Sequence, residues 1–363
     1  MIRRIKLFTL QVIAGANVAT VVMMLLVGYS DRLNPVDYPR LANIGLTFPL
    51  FLGVNLAFLV FWLMFRKRWS LIPVAGLLLC FGPVRNYCPV NIPKTVPDSA
   101  LKVLSFNVYF SGKRTHDGTR ERVVEYLRKE QADIVCLQEI YFKAADREKF
   151  KDLYPFSSAI YGGGGTDYIT VLSRYPIVGR EDINREGKNT HTSSAVFIEK
   201  DGDTIIVINN HLASTQLTTV ERENFNKMVK GEMARDLATQ ASATIIGKLS
   251  EASVHRAFQT DELVRFLEEN RGKSIILCGD FNDSPISHSR HVISNYLTDC
   301  YRESGNGPGI SYHENKFYVR IDHIFCSSDW TPYRCHVDSK IDLSDHYPIV
   351  CWLKKQPKTV KNQ

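Results

Sequence analysis

The sequence predicts an α/β domain carried behind an apolar helical region, and three observations predict it. The apolar excess lies before residue 85, and from about residue 100 short β-type runs alternate with helical patterns. Six of those runs then end on Asn, Asp, Glu or His. A chain of 363 residues, 44% of them hydrophobic, suits one large domain plus an appendage.

The appendage comes first. Residues 7–29 carry no charge and are long enough to span a bilayer, as are residues 41–65. A third stretch, 70–84, has only 15 residues and includes Pro73. A cleaved signal peptide is disfavoured, because no small-x-small site followed by a soluble sequence precedes the second segment. We therefore expect residues 1–97 to be a membrane anchor with two or three transmembrane helices, ending in a Pro-spotted linker over 89–97. Residues 98–363 are expected to form the catalytic domain. Arg3, Arg4 and Lys6 precede the first segment, and Arg66, Lys67 and Arg68 separate the second from the third. The positive-inside rule puts both clusters in the cytoplasm. If the third stretch spans, the domain lies outside; if it is re-entrant, the domain faces the cytosol. Because the stretch is uncharged and directly follows a basic cluster, we expect it to span. The expected protein is an integral one of the bacterial inner membrane with its domain extracytoplasmic.

Charge is divided unevenly. Residues 1–97 hold ten Lys/Arg against two Asp/Glu, leaving 35 against 36 in the remainder. The chain's net charge of +7 therefore belongs to the anchor. The rest lacks a broad basic footprint, which argues against a nonspecific nuclease.

Within the domain, the apolar runs deliver polar residues at their ends: Asn107 in LSFNVYF, Glu139 in IVCLQEI, His211 in IIVINNHLAS, Asp280 and Asn282 in IILCGDFND, Asp322 in RIDHIFCS, and Asp345 with His346 in LSDHYPI. A strand end is where a packed sheet can present a polar group to a cleft without burying it unpaired. Residues 193–200 and 204–210 flank Asp201-Gly202-Asp203, a hairpin signal that delivers His211 at its exit. Leu263, Phe266 and Leu267 have helical spacing and lead into the GDFND strand. The span from about 215 to 270 is expected to be helical, and reads as a pair covering the sheet in preference to a substrate lid.

Cleaving a phosphoester requires neutralising phosphoryl charge, supplying a deprotonated water and handling the leaving oxygen. That calls for a hard cation on oxygen ligands and a general base or acid. Carboxylates and amides suit Mg²⁺ or Mn²⁺, and zinc is disfavoured because neither CxxC nor HExxH occurs. Any one Asp or Asn at a strand end is more simply a turn former, but GDFND and SDH together outweigh that reading.

In this order, LSFNVYF, LQE, NNHLAS, GDFND, RIDHIF and SDHYPI resemble the signature segments of the endonuclease/exonuclease/phosphatase superfamily, which includes DNase I, bacterial sphingomyelinases and inositol-polyphosphate phosphatases. The resemblance covers about residues 100–354 and implies a four-layer sandwich of two mostly antiparallel β-sheets flanked by helices. It implies Glu139 as principal metal ligand with Asn107 beside it and Asp345 near the metal. Asp280 would activate water, Asn282 hold a phosphate oxygen, His346 contact the scissile phosphate with Asp322 behind it, and His211 serve the leaving group. Abasic-site endonucleases carry an acidic residue where this chain has Tyr109, which counts against a second metal site and abasic-DNA specificity.

These readings converge on a membrane-anchored, metal-dependent phosphoesterase. A phosphodiester is the preferred substrate, because two histidines can divide phosphate contact from leaving-group chemistry. A phospholipid headgroup is the favoured form and nucleic acid its competitor; the intact residue set argues against a noncatalytic binding module. Gly162 to Gly165 lacks a phosphate-loop ending and reads as a turn. His288, His291 and His323 show no metal-ligand spacing. Cys136 and Cys278 read as core thiols, and a Cys300–Cys335 disulfide is permitted outside the cytoplasm.

Overall fold

A computed structural model describes residues 2–109, 118–140, 142, 144–161, 168–183, 193–314 and 317–357. The Gly162 to Gly165 turn expectation lies outside the described residues.

The chain opens with helices α1 (Ile2–Gly28), α2 (Phe48–Phe65), α3 (Leu71–Leu79) and α4 (Phe81–Tyr87). Among the described residues, Arg4–Arg32 and Ile44–Phe65 are the helical stretches long and apolar enough to cross a membrane. The helices pack through a closed polar network: Asn17 Nδ2 donates to Asn55 Oδ1 at 3.4 Å, Trp62 Nε1 to Asn17 Oδ1 at 3.0 Å, and Asn55 Nδ2 to Pro73 O at 3.0 Å. Such internal bonds hold helices together where water is absent. Gly76 is required where α3 meets α1, since a Cβ there would lie 2.8 Å from Val21.

The third apolar stretch is helical beyond its expected limits, because a 3-10 turn over Lys67–Ser70 precedes α3 and α4 continues to Tyr87. It breaks at Cys80 because Pro83 has no N–H for the Leu79 carbonyl, which accepts the Tyr29 hydroxyl at 2.7 Å instead.

The domain begins with β1 (Leu101–Asn107), α5 (Thr119–Glu130), β2 (Ile134–Gln138), α6 (Ala144–Glu148), β3 (Phe156–Tyr161) and β4 (Tyr168–Ser173). It continues with β5 (Ile177–Asp182), β6 (Ser193–Lys200), β7 (Asp203–His211), α7 (Thr219–Val229), α8 (Arg235–Glu269) and β8 (Ser274–Asp280). Last come α9 (His288–Ile293), β9 (Thr298–Asp299), α10 (Cys300–Ser304), β10 (Asp322–Cys326), β11 (Trp330–Val337) and β12 (Ile349–Lys355).

The strands form two six-stranded sheets, ordered β11-β12-β1-β2-β4-β3 and β5-β6-β7-β8-β10-β9. Within each, one pair is parallel, β1 with β2 and β7 with β8, and the other neighbours are antiparallel. Val103, Ile134, Val207, Ile276 and Ile324 fill the space between the sheets. Leu127 of α5 packs on the outside of one sheet against Leu104 and Phe106. On the other, Leu263, Phe266 and Leu267 of α8 cover Ile206 and Leu277. This is the expected helix–sheet–sheet–helix sandwich. The β6–β7 hairpin turns on Asp201-Gly202 at φ 54° and 78°, so Asp203 already belongs to the strand.

That topology explains why distant residues meet. β1, β2, β7 and β8 end at one edge of the sandwich, and the antiparallel β10 and β12 begin there. Asp280 accordingly pairs in register with His211 on one side and Asp322 on the other.

The N-terminal helices are bolted to this domain. Ile286 enters the core formed by Met24, Val27, Phe48 and Cys80. Ser253 Oγ donates to Asn43 Oδ1 at 2.9 Å, and Arg85 pairs with Glu303 at 2.8 Å. Buried Arg320 donates to the carbonyls of Asn86 and Pro308 while its guanidinium lies 4.2 Å over the Tyr301 ring. The linker expected over 89–97 is packed against the domain where it starts, since Gly307 N–H donates to Pro89 O at 2.9 Å and Asn91 Nδ2 to Gly305 O at 2.6 Å.

Candidate active site

Asp280 lies at the centre of the edge. Its Oδ2 is 3.0 Å from Asn107 Nδ2, 3.4 Å from Asn282 Nδ2, and 3.7 Å from both His211 Nε2 and His346 Nε2. Its Oδ1 accepts the Asn282 backbone N–H at 2.7 Å. Gly279 precedes it for a steric reason: a Cβ there would lie 1.8 Å from the Asn210 carbonyl, at a φ of 146° open to glycine. Asn282 itself sits at φ 49°, and Glu139, one residue past β2, at φ 56°. Left-handed backbone at two non-glycine strand exits is the kind of strain held at functional sites.

Asn107 Nδ2 also donates to Glu139 Oε1 at 3.0 Å, so one amide bridges two carboxylates. Asp345 lines the same cavity and accepts from Ser344 Oγ at 3.2 Å, while Ser344 Oγ ties to Asn107 O at 2.8 Å. Glu139, Asp280 and Asp345 present carboxylate oxygens to one cavity, the donor type that fits a hard divalent cation, while Asn107 turns its Nδ2 to two of them and accepts the Tyr109 N–H on its Oδ1 at 2.9 Å. Asp280, Asp322 and His346 also approach with ligand atoms within 4.8 Å of one another. His346 Nδ1 is committed, however, donating to Asp322 Oδ2 at 2.8 Å, so this trio is a hydrogen-bonded relay more than a cation cage.

Electrostatics follow from that arrangement. Burial lifts the Asp280 carboxyl to about 6, against the pull of the His346 charge. Burial would lower His346, but the Asp322 and Asp280 carboxylates outweigh it and raise the imidazole to about 10. Burial also raises Asp345. His211 Nε2 lies 3.5 Å from Glu139 Oε1.

All eight sequence-derived residues thus lie at one edge of the sandwich. Sequence reasoning missed Ser344, which sits inside the LSDH segment and steadies Asn107 and Asp345. It also missed Arg222 on α7, whose Nη1 donates to the Tyr312 hydroxyl at 3.2 Å beside the His346 ring. Arg222 directly follows a capping box, Thr218 with Glu221, which signals a helix start but no chemistry. His323 lies buried between Phe281 and Phe325, and His291 faces Asp31, which follows α1, at 3.5 Å. All eight cysteines are free thiols, with Cys300 Sγ 3.6 Å from Cys326 Sγ.

A family model described as the endonuclease/exonuclease/phosphatase family matches residues 104–346, and one for a domain of unknown function matches residues 10–87. No curated protein matches by sequence. Among solved structures, an endonuclease/exonuclease/phosphatase family protein from Leptotrichia buccalis is 15% identical, with 70% of this chain and 100% of that one covered at a TM-score of 0.50. The human Nocturnin catalytic domain with bound sulfate is 18% identical over 71% of this chain and 94% of that one, TM-score 0.49. D. rerio TDP2 complexed with single-strand DNA product is 16% identical over 71% and 100%, TM-score 0.49.

Proposed function

The chain belongs to the endonuclease/exonuclease/phosphatase family, whose enzymes use divalent metals on phosphoester bonds, and from that premise we propose that it is a membrane-anchored Mg²⁺- or Mn²⁺-dependent phosphodiesterase. The observation that carries this reading is the convergence of Asn107, Asn282, His211 and His346 within 3.7 Å of one carboxylate oxygen of Asp280. Glu139, Asn107 and Asp345 would hold the cation, which when bound would supply charge neutralisation at the phosphate. Asp280, with a proton affinity lifted by burial toward neutral pH, accepts the proton of the attacking water. Asn282 steadies Asp280 through its backbone N–H and directs its weakly held amide hydrogen to a phosphate oxygen. His346, kept protonated by Asp322, donates to a second phosphate oxygen. His211, on the other side of Asp280, protonates the leaving oxygen.

Residues 1–97 act as the anchor in this proposal, and the catalytic part from residue 98 lies outside the cytoplasm, in bacteria on the outer side of the inner membrane. Two contacts support it. Asn17 meets Trp62 and Gly28 meets Phe48, so α1 and α2 run antiparallel and both basic clusters lie at the end remote from the domain. The helical run from Lys67 to Tyr87 then leads back toward the domain.

Turnover of bis-p-nitrophenyl phosphate by the full-length protein tests the reaction. EDTA should abolish it and Mg²⁺ or Mn²⁺ restore it. Full activity in chelator would remove the metal from the mechanism, and no turnover with any cation would favour a phosphate-binding module.

A further inference from the structure

The catalytic edge forms the floor of a cavity of about 510 Å³ whose walls come from regions that play no part in the chemistry. One wall is the anchor: Gly45, Leu46, Thr47 and Pro49 line it, together with Tyr87. Pro49 lies in the first turn of α2, a candidate membrane span, so the cavity wall continues into the membrane-crossing helix. The facing wall is apolar as well. Phe225 of α7 and Ile245 and Leu249 of α8 line it, and Phe225 stacks on Phe317 at 4.4 Å across the cavity rim. Thus α8 has two jobs, its C-terminal half covering the sheet and its N-terminal half walling the cavity.

We propose that the substrate is a lipid phosphodiester whose acyl chain lies between Leu46 of the anchor and Phe225, Ile245 and Leu249 of the helical pair, with its phosphate on the catalytic floor. This rests on the phosphodiesterase reading above. Charge supports it over a nucleic acid. Of the two arginines among the described lining residues, Arg256 is buried and committed to Asp283, Ser253 and the Ala213 carbonyl. Arg222 alone remains beside the floor, held on the Tyr312 hydroxyl and the Leu217 carbonyl. One guanidinium suits one phosphate, whereas a strand needs a row of cations along its backbone. Leu46 lines the cavity yet is 42% exposed, and Leu41 on the same segment is also exposed, so the anchor presents apolar surface at its domain-facing end. Lateral entry from the bilayer thereby keeps the tail out of water. In the reaction, the water oxygen bonds to phosphorus, one ester P–O bond breaks, and the departing oxygen takes a proton.

The test uses full-length protein reconstituted with Mg²⁺ in vesicles of phosphatidylcholine, phosphatidylethanolamine and phosphatidylglycerol. Loss of each lipid is compared with hydrolysis of its deacylated glycerophosphodiester, of single-stranded DNA and of bis-p-nitrophenyl phosphate. At least one lipid should exceed its tail-free analogue tenfold or more in kcat/KM. A vesicle phospholipid with a photoreactive group at the chain end should label peptides containing Leu46, Phe225 or Leu249. Leu46→Asp should lower the ratio of lipid to bis-p-nitrophenyl phosphate turnover at least tenfold, and the milder Phe225→Leu should shift it in the same direction. Equal rates with and without tails, labelling confined to the outer faces of α1 and α2, or preferential DNA cleavage would overturn the lipid assignment. Failure to hydrolyse any diester, including bis-p-nitrophenyl phosphate, would instead overturn the phosphodiesterase reading on which it rests.

Discussion

In the N-terminal helices, buried Asn17 and Asn55 bond to each other, to Trp62 and to the Pro73 carbonyl, whereas at the sheet edge buried Asn107 sits between two carboxylates that open onto a cavity. The first network is neutral and closed, with its donors matched to carbonyl or amide acceptors inside the bundle. The second gathers Glu139, Asp280, Asp322 and Asp345 in one place, with His346 as a positive partner and the His211 ring beside Glu139 and Asp280. Burying that much like charge is unfavourable unless a cation or substrate joins it. The difference separates polar burial that holds a structure together from polar burial that keeps a site ready for a ligand.

The sharpest way to break this comparison is to remove members of each network. Asp280→Asn, His346→Ala and His211→Ala should each lower turnover by at least about 10², the low end for a positioned proton-transfer group, with the protein still folded. A nearly silent His211→Ala would end the two-histidine division of labour. Glu139→Gln should abolish metal-restored activity while leaving the unfolding temperature close to that of the parent. A similar loss of folding in all four variants would make the edge structural after all.

Acidity gives a second, smaller separation. Because burial lifts Asp280 to about 6, the general base is protonated below that pH, so Mg²⁺-supported turnover of bis-p-nitrophenyl phosphate should fall as pH drops through it. His346 carries the opposite sign of charge. Raised in the folded protein to about 10 from an ordinary 6.5, it contributes stability fully present below 6.5 and lost as pH rises toward 10. Metal-free protein should therefore unfold at a lower temperature at pH 10 than at pH 6.5, and His346→Gln should flatten that slope. An unchanged slope in the variant would show that His346 is not the group responsible.

The closed network should give the smallest effect. Asn55→Leu should destabilise the bundle by about 1 kcal/mol, the scale of interhelical hydrogen bonds in membranes, and leave bis-p-nitrophenyl phosphate turnover intact. A large loss of turnover would show that the bundle's packing reaches the active site. Topology is checked separately: a reporter active only outside the cytoplasm, fused at Lys94, should be active, and a signal from a cytosolic reporter alone at that site would invert the orientation.

The strand ends were legible in the sequence because each is a local pattern, an apolar run closed by a polar residue, and backbone period and burial act over a few neighbours. Asn107, Glu139, His211, Asp280, Asn282, Asp322, Asp345 and His346 could therefore be named without knowing where their strands lie. The apolar spans and their basic flanks were legible for the same reason, since bilayer thickness sets a length that sequence can meet or miss. The extent of the third helix was not, because the Tyr29 hydroxyl that caps the Leu79 carbonyl comes from 50 residues away. Nor was the packed start of the supposed linker, held by Gly305 and Gly307. Only the tertiary structure decided that Leu46, Tyr87, Arg222 and Phe225 share a cavity with Asp280. Their meeting depends on how the Ile44–Thr47 turn, α4 and α7 dock around one sheet edge, a long-range packing outcome that leaves no periodicity or spacing in the chain.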